Sequence, residues 1–449
     1  MKKKNKDNEM LSLKKKIVDL ALPATVENIL ETSVGFIDSL MISKIGLLAV
    51  AGIGVANAIL NVYIALFIAL GIGTSSIISR SIGAENIEKA KTVSRQSLLL
   101  AIVTGFILGI ISIFAGPRIL TAMGATAQTL EYAMQFFSIV GGGAIFIATM
   151  VILGSMLRAI GDTKSPMKIG FITNLLNIVL DFILIFGLGP LPALGIIGTA
   201  IGTLISRIIG TILLYRKVQQ SVLNFKFFSM LDKSNYTELL RLSLPATLER
   251  LVMRMGQVVY FGLIVALGVK TYAAHSIAGS IESFVYMPAY GLATAAATLT
   301  GNSIGKKDYA ETRNIAYLSI KYGVTILSIL GIVFFFATPY VATLFTKDPE
   351  ALHQVVTALR IDAFNQPGLA FSLIITGALQ GMGDTKSPLY STAFGMWVVR
   401  VVGVIVLGEY LNWGIAGVWI AIGLDLYSRS LFLHYKFNQN LNRLTTNIF

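Results

Sequence analysis

Three short phrases occur twice in this chain, and each pair is separated by 222 residues. Leu22-Pro23-Ala24-Thr25 returns as Leu244-Pro245-Ala246-Thr247, and Ser81-Ile82-Gly83 as Ser303-Ile304-Gly305. Gly161-Asp162-Thr163-Lys164-Ser165-Pro166 returns as Gly383-Asp384-Thr385-Lys386-Ser387-Pro388. Helix ends resemble one another, which explains one such pair at most. With 449 residues in all, the chain is close to two copies of one unit.

Hydrophobic residues make up 55% of the chain and charged residues 13%, with mean hydropathy +0.74. A soluble domain carries about 25% charged residues. So much apolar surface cannot be hidden inside a soluble fold of this size, so the bilayer is the solvent. There is no cysteine, which excludes disulfides, thiolate nucleophiles and Cys-ligated metals. The apolar stretch after the basic N-terminus is long and lacks a small-residue cleavage site, so it is not read as a removable signal peptide.

A helix crossing the hydrocarbon needs roughly 20 mostly apolar residues. The apolar runs predict spans at 17–41, 47–74, 93–115, 130–157, 166–188, 194–215, 239–265, 272–300, 313–337, 351–380, 388–408 and 414–434. The expected fold is therefore an all-α membrane protein with twelve transmembrane helices in two parallel six-helix repeats. Alternating patterns suited to a barrel are absent, which leaves helices as the spanning structure. An even number of spans per repeat makes both repeats enter and leave on one face. The expected divisions are a tail at 1–16, an amino lobe at 17–215, a linker at 216–238, a carboxy lobe at 239–434 and a second tail at 435–449.

Of the 36 Lys and Arg, only Lys44, Arg118, Lys270 and Lys347 fall in connections on one side. Lys14, Lys15, Lys16, Lys89, Lys91, Lys164, Lys217, Lys233, Lys306 and Lys307 are among those on the other, and Lys168 lies at the same end of the fifth span. This bias places both termini in the cytoplasm of a cell-membrane protein. The net charge of +13 is then an orientation signal, and no nucleic-acid partner is expected. In each Gly-Asp-Thr-Lys-Ser-Pro phrase, Ser-Pro reads as helix cap and first helical residue after a glycine turn. Ser-Ile-Gly reads as a cytoplasmic helix end.

Acidic residues inside the predicted spans are Glu27, Glu31, Asp38, Asp181, Glu249, Glu282, Asp362 and Asp425. A charge at the bilayer centre costs about 3 kcal/mol on insertion scales, so such groups face the protein interior or a wet cavity. Glu27, Glu31 and Asp38 lie within about 40° of one another on a helix. Asn174, Asn177 and Asp181 share a stripe on the fifth span in the same way. Arg207 is the only basic residue deep in this lobe, so these carboxylates lack an evident cationic partner. In the second half, Arg254, Arg360 and Arg400 are available for structural ion pairs, and Glu249 could pair with Arg250.

Unpaired carboxylates in a low-dielectric interior either take up protons or share a metal cation. Asp38, Asn177, Asp181 and a hydroxyl from Thr199 or Thr203 supply the hard oxygens that Na⁺ accepts. Adding 222 to Asp38, Asn177 and Asp181 gives Tyr260, Val399 and Gly403, so the second half has lost this set. Glu27, by contrast, returns as Glu249. For that pair, helix packing and cavity lining are both open.

Two six-helix halves, the spacing from Pro23 to Asp38, Asn177-x-x-x-Asp181 and the Gly-Asp-Thr-Lys-Ser-Pro turn together resemble the multidrug and toxic compound extrusion (MATE) transporters. Met253-Arg254-Met255-Gly256-Gln257 also resembles bacterial members. Within the family the chain is most similar to the DinF-like branch. That resemblance implies a cation or proton site at Asp38, Asn177, Asp181 and Thr199, with Asp38, Asn177 and Asp181 holding Na⁺ if coupling is to sodium. The NorM branch adds an acidic pair in the carboxy lobe, but the matching positions here are Met253 and Leu369.

The resemblance implies export of bulky, amphipathic, often cationic compounds in exchange for inward H⁺ or Na⁺, with no cofactor. Candidate cavity residues are Glu27, Glu31, Tyr63, Met150, Glu249, Met253, Tyr286 and Met287, since soft Met and aromatic surfaces tolerate varied ligands. The expected partners are small amphipaths and membrane lipid, and the expected working form is a monomer. The alternative is a flippase for lipid-linked oligosaccharides on a related fold, which would need several basic residues facing the cavity. An intramembrane enzyme is not expected. His275 is a lone histidine well inside a span, no HExxH motif occurs, and Gly187-Leu188-Gly189-Pro190 marks a helix end.

Overall fold

Bilayer hydrocarbon offers no water to a free backbone amide, so the chain satisfies its amides internally by forming helices. The computed structural model describes residues 2–187, 192–226 and 235–446, with side chains from residue 9 onward. Lys233 and the segment Leu188–Pro190 of the predicted helix end lie outside these residues, although the preceding helix does end at Phe186.

The helices of the first repeat are α1 (Lys2–Ser43), α2 (Leu47–Gly83), α3 (Ile87–Phe114), the short α4 (Gly116–Ala122), α5 (Ala127–Val140), α6 (Ala144–Ala159), α7 (Lys164–Phe186) and α8 (Ile196–Gln219). Those of the second are α9 (Tyr236–Leu267), α10 (Val269–Val285), α11 (Met287–Gly305), α12 (Tyr309–Ala342), α13 (Pro349–Met382), α14 (Lys386–Ala393) and α15 (Gly414–Thr446). π-Helical stretches at Phe394–Val401 and Val404–Tyr410 extend α14. Counting α5–α6, α10–α11 and α14 with its extension as one span each gives the twelve spans of the all-α fold.

Length and apolarity alone qualify eight helices among the described residues, or nine with the α5–α6 pair, which bends by 51° at Gly141–Gly143. The spans that fall short are α1, α10–α11 and α13. Each carries acidic residues: Glu27, Glu31 and Asp38 on α1, Glu282 on α10 and Asp362 on α13. Polar groups that lower a span's apolarity are the ones from which a site can be built.

The chain divides into two compact units, one of Val26–Thr247 and one of Met1–Thr25 with Leu248–Phe449. These divisions differ from the repeat boundaries. The start of α1 belongs with the second repeat, and the start of α9 belongs with the first. Both exchanges occur two residues after a repeated proline, Pro23 or Pro245. Proline lacks the amide that would continue the helical ladder, so the helix can change direction there.

Packing within each unit follows this division. Leu13, Ile17, Leu20 and Ala21 are buried with Leu292, Ala295 and Ile374 in the carboxy-side unit. Leu239 and Leu242 are buried with residues of α2, α3 and α8 in the amino-side unit. Gly291 allows close approach to the Ala21 carbonyl and to Thr25, whose hydroxyl donates to that carbonyl at 2.9 Å. Glu238 at the start of α9 is held by Lys89 at 2.8 Å and Arg80 at 3.4 Å.

The repeated phrases do the same work in both halves. Ser-Ile-Gly closes α2 and α11, and is followed by Glu85 at φ 57° and Lys307 at φ 61°. Gly161 and Gly383 have φ of 87° and 91°, a turn that glycine makes without strain. The following helices begin at Lys164 and Lys386, earlier than Ser-Pro predicts. Asp162 and Asp384 do the capping, each accepting from the serine amide at 2.9 Å. A carboxylate satisfies the free amides of a first turn and complements its dipole, which a serine hydroxyl at that place does not.

Candidate functional site

In the amino-side unit, α7 packs against α8, and the closeness depends on small residues. Gly198 faces the backbone at Leu184 and Ile185, and Gly202 faces the Asp181 carboxylate directly. A glycine at 202 leaves the space that the carboxylate occupies. Sequence reading missed Gly202, although Gly198-x-x-x-Gly202 is a small-residue pair that brings helix backbones together in a membrane.

The structure gathers Asn177, Asp181 and Thr203 at this contact. Asp181 is fully buried, and its Oδ1 accepts from Asn177 Nδ2 at 3.1 Å. The same amide reaches Thr203 Oγ1 at 3.5 Å. Thr199 lies one turn before Thr203 on the same face of α8 and is also buried. Asp38, on α1, is half-buried and near enough to Asp181 for the two carboxylates to repel.

Three buried oxygens here have no hydrogen-bond partner among the described residues: Asp38 Oδ1, Asp181 Oδ2 and Thr199 Oγ1. Neither aspartate is in an ion pair among those residues, and Arg207 acts on Asp38 only through space. Unpaired buried acceptors beside two like charges are costly unless a cation is present. No group of three or more His, Cys, Asp or Glu suited to a metal occurs among the described residues. Asp38, Asp181 and Thr199 contribute oxygen donors only, which are hard ligands.

Glu27 corrects the expectation that these carboxylates have no cation. Arg158, at the end of α6, donates to both of its oxygens at 3.1 and 3.3 Å. Both side chains are about one quarter exposed. Replacing Arg158 by Ala is expected to cost about 1–3 kcal/mol, between the exposed and fully buried limits. Thermal unfolding in detergent reads this as a lower midpoint. Glu31 is exposed and is not part of the cluster.

The predicted cavity residues divide between core and partly open positions. Tyr63 is buried, shares a hydrogen bond with Ser112 Oγ at 3.1 Å, and lies tilted against Phe137 with ring centroids 6.1 Å apart, so it is core of the amino-side unit. Met150 is half-buried, with Arg207 3.9 Å from its sulfur. In the carboxy-side unit Met287 is buried, while Tyr286 is half-buried against Tyr290. Met253 is half-buried with Arg429 at 3.8 Å from its sulfur. Glu249 accepts from Thr392 at 3.2 Å and forms no ion pair with Arg250 among the described residues.

Of the arginines expected to serve the second half, Arg400 pairs with Asp425 at 2.8 Å. Arg254 instead donates to Gln257, and Arg360 lies over Phe335. The main partner of Asp425, Arg429, was missed. It sits four residues on along α15, the spacing that places opposite charges side by side on a helix.

A size test separates geometry from chemistry at the first site. Gly202→Ala would place a methyl group against the Asp181 carboxylate. Overpacking of this kind costs about 1–3 kcal/mol, and it is expected to displace the carboxylate and weaken any cation binding there. Gly54→Ala, which meets nothing within 4 Å, is the control that keeps both. Cation-dependent thermal stabilisation, measured in both variants, checks this.

Twelve spans in two repeats, with a buried acidic site inside one of them, define a multi-pass membrane transporter and not an enzyme. The chain belongs to the MatE family, whose model matches residues 23–183 and 245–406, one stretch in each repeat. It is 30% identical over 428 residues to the probable multidrug resistance protein NorM of Thermotoga maritima, covering 94% of this chain and 91% of that one. The uncharacterized transporter YisQ of Bacillus subtilis is 26% identical over 429 residues, with 95% and 94% covered. A crystal structure of MATE in complex with MaL6 superposes with a TM-score of 0.91 at 25% identity, covering 97% of each chain. An outward-facing multidrug resistance MATE family transporter of the MOP superfamily gives 0.90 at 26%, covering 96% of each.

Proposed function

We propose that this chain is a secondary antiporter that exports bulky amphipathic, cationic compounds in exchange for inward H⁺ or Na⁺. The observation that carries this reading is the set of partnerless oxygens at Asp38, Asp181 and Thr199 beside Asn177. One cation there offsets the repulsion between α1 and α7. Its loss restores that repulsion, so residues 26–43 of α1 have two preferred packings. The ion shifts the balance only by its differential affinity for them.

Drug-like cargo is supported by the multidrug resistance names of the relatives. Cationic cargo is supported by the acidic interior of the amino-side unit, which would repel the pyrophosphate headgroup of a lipid-linked sugar. The DinF-like assignment rests on the same acids, together with Met253 and Leu369 at the NorM-type positions. The Lys and Arg distribution supports both termini on the cytoplasmic side of the cell membrane. A complete pair of repeats in one chain supports a working monomer.

The test is efflux of a fluorescent cationic dye from sealed vesicles under an imposed pH or Na⁺ gradient. Efflux is expected to accelerate with one of the two. Efflux indifferent to both would refute antiport.

A further inference from the structure

The carboxy-side unit lacks the Asp38 constellation, yet it buries charge of its own. Asp425 is fully buried and saturated: Arg400 and Arg429 both bind it, with Arg429 Nη2 at 2.7 Å and Arg400 Nε at 2.8 Å. Asp362, on α13, is 4% exposed. Its Oδ2 accepts from Gln366 Nε2 at 2.6 Å, while its Oδ1 has no partner among the described residues. Glu282, half-buried on α10, lies near enough to repel Asp362 and to be attracted by Arg400.

The balance of this cluster falls one positive charge short. Glu282, Asp362 and Asp425 carry three negative charges against the two of Arg400 and Arg429. Adding Glu249 and Arg250 from α9 leaves the shortfall unchanged. The other titratable or charged groups facing the cluster are Tyr260 and Arg254 on α9 and His275 and Tyr286 on α10. Arg400 lies over the Tyr260 ring, whereas Arg254 is exposed to the surroundings, donates to Gln257 and stands outside the buried charge balance. His275 is packed among Tyr260, Phe261 and Trp419.

A second observation is independent of the acids. Gln366 is 1% exposed, and its Oε1 has no donor among the described residues. Its Nε2 already donates to Asp362 Oδ2, so the side chain with this unused acceptor contacts the acid whose Oδ1 is also unused. A carboxylic acid O–H supplies the missing donor. In the arrangement seen, the amide donates to a carboxylate. With Asp362 protonated at Oδ1, the acid O–H is the donor that Oε1 lacks, while Nε2 goes on donating to Oδ2.

We propose that Glu282 and Asp362 form a second proton site, within the carboxy-side unit, in which one proton is shared by the pair and Gln366 reads its presence. The proton comes from water and returns to it through half-buried Glu282, leaving a carboxylate behind. No divalent metal is invoked, because one positive charge completes the balance.

Infrared pH titration of the purified full chain in nanodiscs tests this directly, through the carbonyl band of protonated carboxyl groups. In an Asp38→Asn/Asp181→Asn background, one pH-dependent band is expected to remain. Adding Asp362→Asn is expected to abolish it. Gln366→Leu should keep the band and shift its frequency, because the acid loses a hydrogen bond. That variant also keeps the test decisive if the triple variant does not fold. A background with no remaining titratable band overturns the proposal, as does a band unmoved by both variants. Na⁺ that removes the band at constant pH overturns the assignment of the ligand as a proton.

Discussion

Asp181→Asn is expected to reduce gradient-driven efflux by about two orders of magnitude, the upper range of coupling between linked sites. The same change should leave the protein as stable as before or more so. Asn fits the space that Gly202 leaves and keeps the contact with Asn177, and the cost of a buried charge disappears. A stable, inactive variant is the signature of a group retained for exchange and not for packing. Dye efflux and thermal unfolding, measured on one preparation, check both halves. Undiminished transport by this variant would remove Asp181 from the coupling site.

Asp425→Asn is expected to do the opposite. Two guanidinium groups, each under one tenth exposed, would lose their shared counter-charge. Breaking a buried ion cluster from one side costs about 3–5 kcal/mol. A marked fall in unfolding midpoint in detergent is predicted. An unchanged midpoint would mean that Arg400 and Arg429 find other partners. These two aspartates are equally buried, and only their neighbours separate function from structure.

Much of the fold was legible because the repeat is written in the words that end helices. Those words return wherever a backbone needs the same turn, so the 222-residue offset reappears in the paired glycine turns, in Glu85 and Lys307, and in the exchange points after Pro23 and Pro245. Less visible was which unit each half-helix joins, since a continuous helix carries no mark of where its neighbours change. Helical spacing singled out Asp38, Asn177 and Asp181, and the structure places Asn177 in hydrogen-bond contact with Asp181, with Asp38 near it. Glu27 was misread because Arg158 lies 131 residues away on another helix, and spacing within one helix cannot report such a pair. Gly202 left only the weak signal of a small residue, and its meaning depends on what faces it.

The central claim is that Asp38 and Asp181 trade one monovalent cation as cargo binds. Cation release from the purified protein on adding a cationic substrate measures this most directly, as protons in weakly buffered solution or as Na⁺ from loaded protein. The wild-type chain is expected to release one more cation per molecule than Asp38→Asn/Asp181→Asn. Equal release from the two would contradict the account.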